Sequence, residues 1–409
     1  NSASGAGGII NNNGNVTITN STISGNSATG STSGGGGIFN FGTMNVTNST
    51  ISGNFATGSN GGGIYSSGGT VNVRNAIIAV NASPNGPDVF GALTSQGFNL
   101  IGNFAGAIIT PVQFSDQIGV TSAQLNLGQL ANNGGPTQTQ ALGSGSFAID
   151  KGESSGSATD QRGLPRPVDE PAVPNASGGD GSDIGAFEVQ AATPTPTPTP
   201  SPTPTPNPTF NFVVNSTDDA VDVNPGDGIC ETAPGNGVCT LRAAIKEASS
   251  GNTIGFSLPA GSTIKLTNGE LLIDKNLTIN GPGTNLLTVT RSVNADVFRI
   301  FDIVAGTVSL SGFTISNGDS PNNRGGGIFD GSPDTVTITN MTIVGNRAGQ
   351  GNGGGIHIDS TGILNVTNSI ISGNSAAGGG GGISNNRGTV NVTGSTISNN
   401  DGDGILNDP

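Results

Sequence analysis

One motif recurs along this chain every 26 to 28 residues, and that spacing limits the fold more than any other feature. Written loosely, it is G-G-G-I, a short turn, T-V-x-V-x-N-S-T-I-S-G-N and a loop of small residues. Copies occupy 16–26, 44–54 and 71–81, then 308–317, 336–346, 364–374 and 390–400. Ile23 and Ile51 are 28 residues apart, and Ile51 and Ile77 are 26 apart. Ile315, Ile343, Ile371 and Ile397 follow at 28, 28 and 26. A period this regular marks one structural unit repeated many times.

Within a unit the apolar residues alternate with polar ones: Val16 and Ile18 flank Thr17, Val71 and Val73 flank Asn72, Val336 and Ile338 flank Thr337. Alternation of Val, Ile and Thr reads as short strands with one buried face, and Gly and Asn clusters place turns between them. Such a unit cannot bury its apolar face alone, whereas stacked copies share a continuous core. The expected fold is all-β, a right-handed parallel β-helix (β-solenoid) in two segments with one short capping α-helix. An antiparallel meander is the rival. In the solenoid Ile23 sits on Ile51 and Ile343 on Ile371. Asn26 and Asn54, and Asn346, Asn374 and Asn400, then form side-chain amide ladders.

Composition alone, with 70 Gly, 23 Pro, one Tyr, no Trp and 10% charged residues, would also suit disorder. Disorder does not explain the repeat. The net charge of −14, without a Lys/Arg cluster, argues against nucleic acid and anionic membrane partners. No apolar run approaches the ~18 residues needed to span a bilayer, so no membrane insertion is expected. Neither an initiator Met nor a signal peptide is present, which reads as a mature product or a fragment.

Five regions follow. Residues 1–110 are β-helix coils and 111–190 an irregular closing segment. Residues 191–209 are a Pro-Thr linker of polyproline II character, a semi-rigid spacer that can carry glycans. Residues 210–300 form an opening module, and 301–409 are coils again. Within the opening module, 240–249 reads as a helix. Leu241, Ala244, Ile245 and Ala248 make one apolar face, and Thr240 is placed to cap it. Its expected role is a lid on the first coil, since an open coil end is an exposed sheet edge. Cys230 and Cys239, with eight residues between them, suit a local disulfide and an oxidising compartment, with two free thiols as the alternative. They make a poor zinc site.

The run CTLRAAIKEA from Cys239, preceded by Asp218-Asp219 and Gly226-Asp-Gly228, resembles the CSLREA module that opens many secreted bacterial β-helix proteins of the pectate-lyase-like kind. Ala243 stands where that module usually carries Glu. LANNGGP from Leu130, FAID from Phe147, TDQRG from Thr159 and DIGAFE from Asp183 resemble the closing segment called the choice-of-anchor Q domain. The resemblance implies a secreted or cell-surface protein more than any one chemistry.

The closing module thus precedes the opening one. Read cyclically, 210–409 followed by 1–190 makes one complete unit. Asn1 and Pro409 each fall inside a coil, so both coil ends are expected to be open. The expected partner is the chain itself, as a head-to-tail homopolymer or as a tandem array.

The same fold hosts carbohydrate-active enzymes, whose sites gather carboxylates from adjacent coils. Here the acidic positions do not align: Asp330 is matched in other coils by Asn40, Ser66 and Ile358, and Asp359 has no carboxylate one coil away. The lone His357 reads as a surface residue on a solvated strand face beside Asp359. Asp218, Asp219, Asp222 and Asp227 are weak calcium candidates or solvated turn residues, without EF-hand spacing. No other cofactor is implied. Phe39 and Tyr65 occupy equivalent positions and suit stacking between coils. Sequons at Asn20 and Asn45 arise from the repeat itself. The expected function is an extracellular structural rod or filament without enzymatic activity. The alternatives are a surface adhesin or stalk, and a carbohydrate-active β-helix enzyme.

Overall fold

The computed structural model describes residues 1–3, 5–30, 34–58, 60–190, 210–320 and 324–408. The Pro-Thr linker, 191–209, and Pro409 lie outside the described residues. The chain forms a β-solenoid of about 13 turns and is 3% helical. A regular coil carries three short strands, such as Ile38–Asn40, Thr43–Thr47 and Thr50–Ser52, followed in that coil by a two-residue strand, Phe55–Ala56. Alternation sets their facing: Met44 and Val46 point into the coil and are buried, while Thr43 between turn and strand is exposed.

Equivalent residues stack. One column runs Val308, Val336, Leu364, Val390, Val16, Met44, Val71, each the direct partner of the next in parallel pairing. Ile23 lies on Ile51 and Ile343 on Ile371, as the repeat requires. One register differs from the spacing read above: Ile51 pairs with Ile78, not Ile77. The run Asn75-Ala-Ile-Ile78 aligns with Asn48-Ser-Thr-Ile51, so Ile77 takes the outward place that Thr50 holds one coil earlier.

That outward Ile77 has a purpose in packing. With Ala79, Leu100, Leu125, Leu142, Ile149, Ile184 and Phe187 it makes a second core, between the coils and the closing segment. The closing segment also contains a one-turn helix, Ser122–Leu125, and an antiparallel pair, Leu127–Ala131 with Thr139–Leu142. This helix was not anticipated, because four residues carry no helical period. The expected helix is present as Leu241–Glu247, with the Thr240 side chain accepting from the Ala243 amide. It buries Leu241, Ala244 and Ile245 against the first strands of the solenoid.

The two segments form one stack. Thr389–Thr393 pairs in parallel with Asn15–Thr19, and Ile405–Asp408 with Ile9–Asn11. The cyclic order is therefore the order in space, and the coil ends expected to be open close on each other. The cause is complementarity: both edges carry the repeat, so Val390 meets Val16 and Ile405 meets Ile9, and edge N–H and C=O groups gain partners.

Closure is incomplete on the third face. The sheet ending at Thr396–Ser398 and the sheet ending at Thr22–Ser24 remain separate. A void of about 20 Å³ lies there, lined in part by Ile18, Ile23, Val392 and Ile397. Elsewhere on this face the Thr50 amide donates to Ser21, Ile77 to Ser49, Ile370 to Met341 and Thr396 to Ser369. Among the described residues no equivalent bond from Thr22 crosses the seam. Amide hydrogen exchange read by mass spectrometry should therefore show Thr22–Ser24 exchanging at least tenfold faster than Thr50–Ser52, one coil away.

Candidate functional site

The most continuous polar feature is a buried line of asparagine side chains. Asn346 Nδ2 donates to Asn374 Oδ1, Asn374 to Asn400 and Asn400 to Asn1, each at 3.0 Å. Asn1 continues to Asn26, Asn26 to Asn54 and Asn54 to Asn81, the last two at 2.9 Å. The line ends on a carboxylate: Asp88 Oδ1 accepts from both the backbone N–H and the Nδ2 of Asn81, at 2.9 Å. Every amide points the same way. Each Oδ1 also takes a backbone N–H from the preceding rung, as Asn346 N to Asn374 Oδ1. The second Nδ2 proton serves a strand carbonyl, as Asn374 to Ile343. All five asparagines named from the repeat are in this ladder.

Sequence reasoning missed Asn1, Asn81 and Asp88. Asn81 closes the third copy of the motif and was findable. Asp88 follows an irregular loop and was not. A second ladder was missed as well: Asn385 Nδ2 donates to Asn407, Asn407 to Asn11 at 2.6 Å and Asn11 to Asn40 at 2.7 Å. Its signal is Asn two places after the Ile that follows the glycines.

Asp330 occupies the same column as the second ladder, between Ile303 and Ile358, which supply no amide. Its Oδ1 accepts from the Ser332 amide, and its Oδ2 has no partner. Burial pushes this carboxyl up to about 7.

His357 corrects an expectation: it is fully buried, not solvated. The glycine loop ahead of its strand folds across it. A Cβ on Gly353, whose φ is +71°, would stand 2.7 Å from the His357 Cβ, so only glycine permits this crossing. Burial, with the charges of Arg324 and Arg299 in support, pushes the imidazole down to about 4. The ring stacks on Phe329 at 5.8 Å, and Arg299 lies 4.6 Å over the other face of this column. Arg299, Asp302, Arg324, Phe329, Gln350 and Asp359 line an open groove of about 550 Å³. Arg324 pairs with Asp359 at 2.9 Å and Arg299 with Asp302 at 3.2 Å. Ser384 is the cross-strand partner of His357, yet neither imidazole nitrogen has a hydrogen bond, and Asp359 is 3.9 Å from Nε2. A serine–histidine–aspartate relay is not assembled.

In the opening module Cys230 and Cys239 form a disulfide. The four aspartates beside it are not gathered around one point. Asp219 accepts from Thr267 and Asn268 and pairs with Arg242 at 2.7 Å. Asp222 accepts from Asn224 and Glu231, Asp227 from Ile229, and Asp218 from Ser216. Their oxygens organise the loop, and among the described residues no group of three or more His, Cys, Asp or Glu is placed to hold a metal. Phe39 and Tyr65 stack at 4.8 Å as packing between coils. Asn20 of the first sequon is buried, with Nδ2 bound to Ser157 and Thr159 of the closing segment. No helix among the described residues is long and apolar enough to cross a membrane.

The closing segment buries charges that the spacing did not foretell. Arg166 pairs with Glu188 at 2.8 Å with both side chains inaccessible, and Arg162 pairs with Asp160 at 2.7 Å while lying 3.6 Å over Phe187. Asp183 is pushed up to about 7 by burial and then by Glu188. The TDQRG and DIGAFE runs thus meet in one network.

No family model matches this chain, and neither the curated proteins nor the solved structures contain a match to it.

Two tests follow from this geometry. Asn374→Ala removes the acceptor of two buried N–H donors on Asn346, and should lower unfolding stability by about 3 kcal/mol in a denaturant titration. Asn72→Ala, at a half-buried surface pair with Asn45, should cost roughly 0.5 kcal/mol. For Asp330, the folded pKa exceeds the unfolded value. Its stabilisation is therefore complete below about pH 4 and lost as pH rises through about 7. Asp330→Asn should melt with the parent at pH 4 and several degrees above it at pH 8.

Proposed function

We propose that this chain is an extracellular structural protein, a stiff solenoid rod that acts as a spacer or as a building block of a surface assembly. The observation that carries this reading is the amide ladder, which runs through both segments and locks successive coils in register. A one-dimensional stack joined at every rung by backbone and side-chain bonds resists bending and unravelling from its middle. The disulfide supports an oxidising location. The resemblance of the opening and closing runs to those of secreted bacterial β-helix proteins points the same way. The Pro-Thr segment suits a spacer exposed outside a cell and open to glycans. Self-association, as a head-to-tail homopolymer or tandem array, belongs to the same reading.

Immunogold labelling of the producing cells tests it. Label on projecting material outside the cell is expected, and label confined to the cytoplasm overturns the reading.

One observation favours a second reading, a carbohydrate-binding or carbohydrate-active surface: the groove holding Arg299, Arg324, Asp302 and Asp359 beside the Phe329 ring. Calorimetry against neutral and acidic oligosaccharides separates the two. A rod gives no heat. A binding surface gives heat that is lost in Arg299→Ala and Arg324→Ala.

A further inference from the structure

The turn after the middle strand of a regular coil holds one residue in the left-handed region. Down the stack it is Asn340, Asn368, Gly394, Asn20, Asn48 and Asn75, one per rung. Their φ values lie between +47° and +60°, where asparagine and glycine are tolerated.

On the first-segment coils this column is covered by the closing segment. The Asn20 side chain donates to the Thr159 carbonyl and the Ser157 hydroxyl, both at 3.0 Å. The Asn48 side chain donates to the Ser154 carbonyl at 2.8 Å, and that of Asn75 to the Asp183 carbonyl at 3.0 Å. Each amide therefore holds a main-chain carbonyl of a strap laid along the stack. The outward residues beside the column, Thr22, Thr50 and Ile77, are buried under the same strap.

The strap reaches the seam, where the Thr137 hydroxyl donates to the Gly394 carbonyl at 3.0 Å. Beside it, Gly135 and Pro136 border an open groove of about 580 Å³ that continues over the second-segment coils. Asn340, Thr342, Asn368 and Ile370 line it, together with the loop 281–285. Among the described residues none of the lining side chains is charged. Asn340 is exposed, and Thr342, Asn368 and Ile370 are half-buried. Among the described residues the side-chain amides of Asn340 and Asn368 make no hydrogen bond.

We propose that this groove is the docking site of a second strap, an extended and uncharged stretch of polypeptide from a partner protein, held through its main-chain carbonyls. It continues an interface that the molecule already uses once. Asn340 and Asn368 are one rung apart, as Asn20 and Asn48 are, so carbonyls placed like those of Thr159 and Ser154 meet both amides. A polypeptide offers such an acceptor at every residue, whatever its sequence. The uncharged lining selects against ionic side chains, since a charge buried there without a partner is costly. Ile370 offers apolar area to a small side chain, as Ile77 does under the closing segment. The cavity falls within the roughly 300–1,000 Å³ of ordinary ligand sites. A strap bound here fastens the rod along its side and leaves its ends uninvolved.

The probe is the capped hexapeptide SSGSAT, the sequence of 154–159, titrated into the full chain carrying nitrogen-15 asparagine. Saturable shifts of the Asn340 and Asn368 side-chain amide resonances are expected, with a midpoint of about 1–10 mM. The resonances of Asn20 and Asn48, already occupied, should stay in place. Asn340→Gly combined with Asn368→Gly keeps the left-handed turn, as Gly394 does, and should raise the midpoint at least tenfold, read from the shift of the Ile370 amide. Asn45→Ala, on the first-segment coils, should leave the midpoint unchanged. A peptide that moves neither side-chain resonance overturns the proposal, as does a midpoint that the double glycine variant leaves unaltered. Tighter binding of a neutral oligosaccharide, maltohexaose, at the same two amides also overturns it, because the groove then selects hydroxyls over main-chain carbonyls.

Discussion

In this solenoid, a side chain inside the coil lies against its own counterpart one rung away, because parallel in-register pairing stacks equivalent positions. Everything else depends on that constraint. An isoleucine placed inward contacts isoleucine, and a column of them is a core without further design. A polar side chain placed inward finds its side-chain partner in a copy of itself and its remaining hydrogen bonds in the backbone of the neighbouring coils. Asparagine does this because it carries a donor and an acceptor on one rigid amide, so that a line of identical residues satisfies itself from rung to rung. An ionised aspartate is acceptor-only and can only terminate such a line. Asp88 does so, receiving Asn81 and donating nothing onward.

The same constraint explains where charge is awkward. Asp330 lies in an amide column but has isoleucine on both sides, so one oxygen is left bare and the carboxyl holds its proton near neutral pH. His357 is covered by a glycine turn and kept neutral for the corresponding reason, with opposite sign: its stabilisation is present above about pH 6.5 and is lost as pH falls through about 4. In the closing segment, where the repeat has ended, buried charges are instead paired directly, Arg166 with Glu188 and Arg162 with Asp160.

The regular coils were legible because period and alternation act on each residue in the same way. The inward Val16, Met44 and Val71, the outward Thr17, and the ladder at Asn26 and Asn54 all follow from them. Legibility stopped where a position was decided by something far away in sequence. Ile77 reads as an inward residue until the closing segment is seen to cover it. His357 reads as a surface residue because the glycine loop that buries it looks like a turn from sequence. The charge pairs of 160–188 have no period to announce them. The groove at Arg299 draws on Asp302, Arg324 and Asp359, spread over several coils, and no local pattern links them.

The seam also has a kinetic meaning. Most contacts in the stack join residues fewer than 32 positions apart, as in the Asn374 to Ile343 and Asn346 to Asn374 bonds, so each coil can add to its neighbour by closing a short loop. The Asn400 to Asn1 contact closes a loop of 399 positions and costs more chain entropy than any rung beside it. On loop length alone, each segment is expected to zip within itself before the rung that unites them closes. Until Thr389–Thr393 has been made, the Asn15–Thr19 edge that it pairs with stays bare.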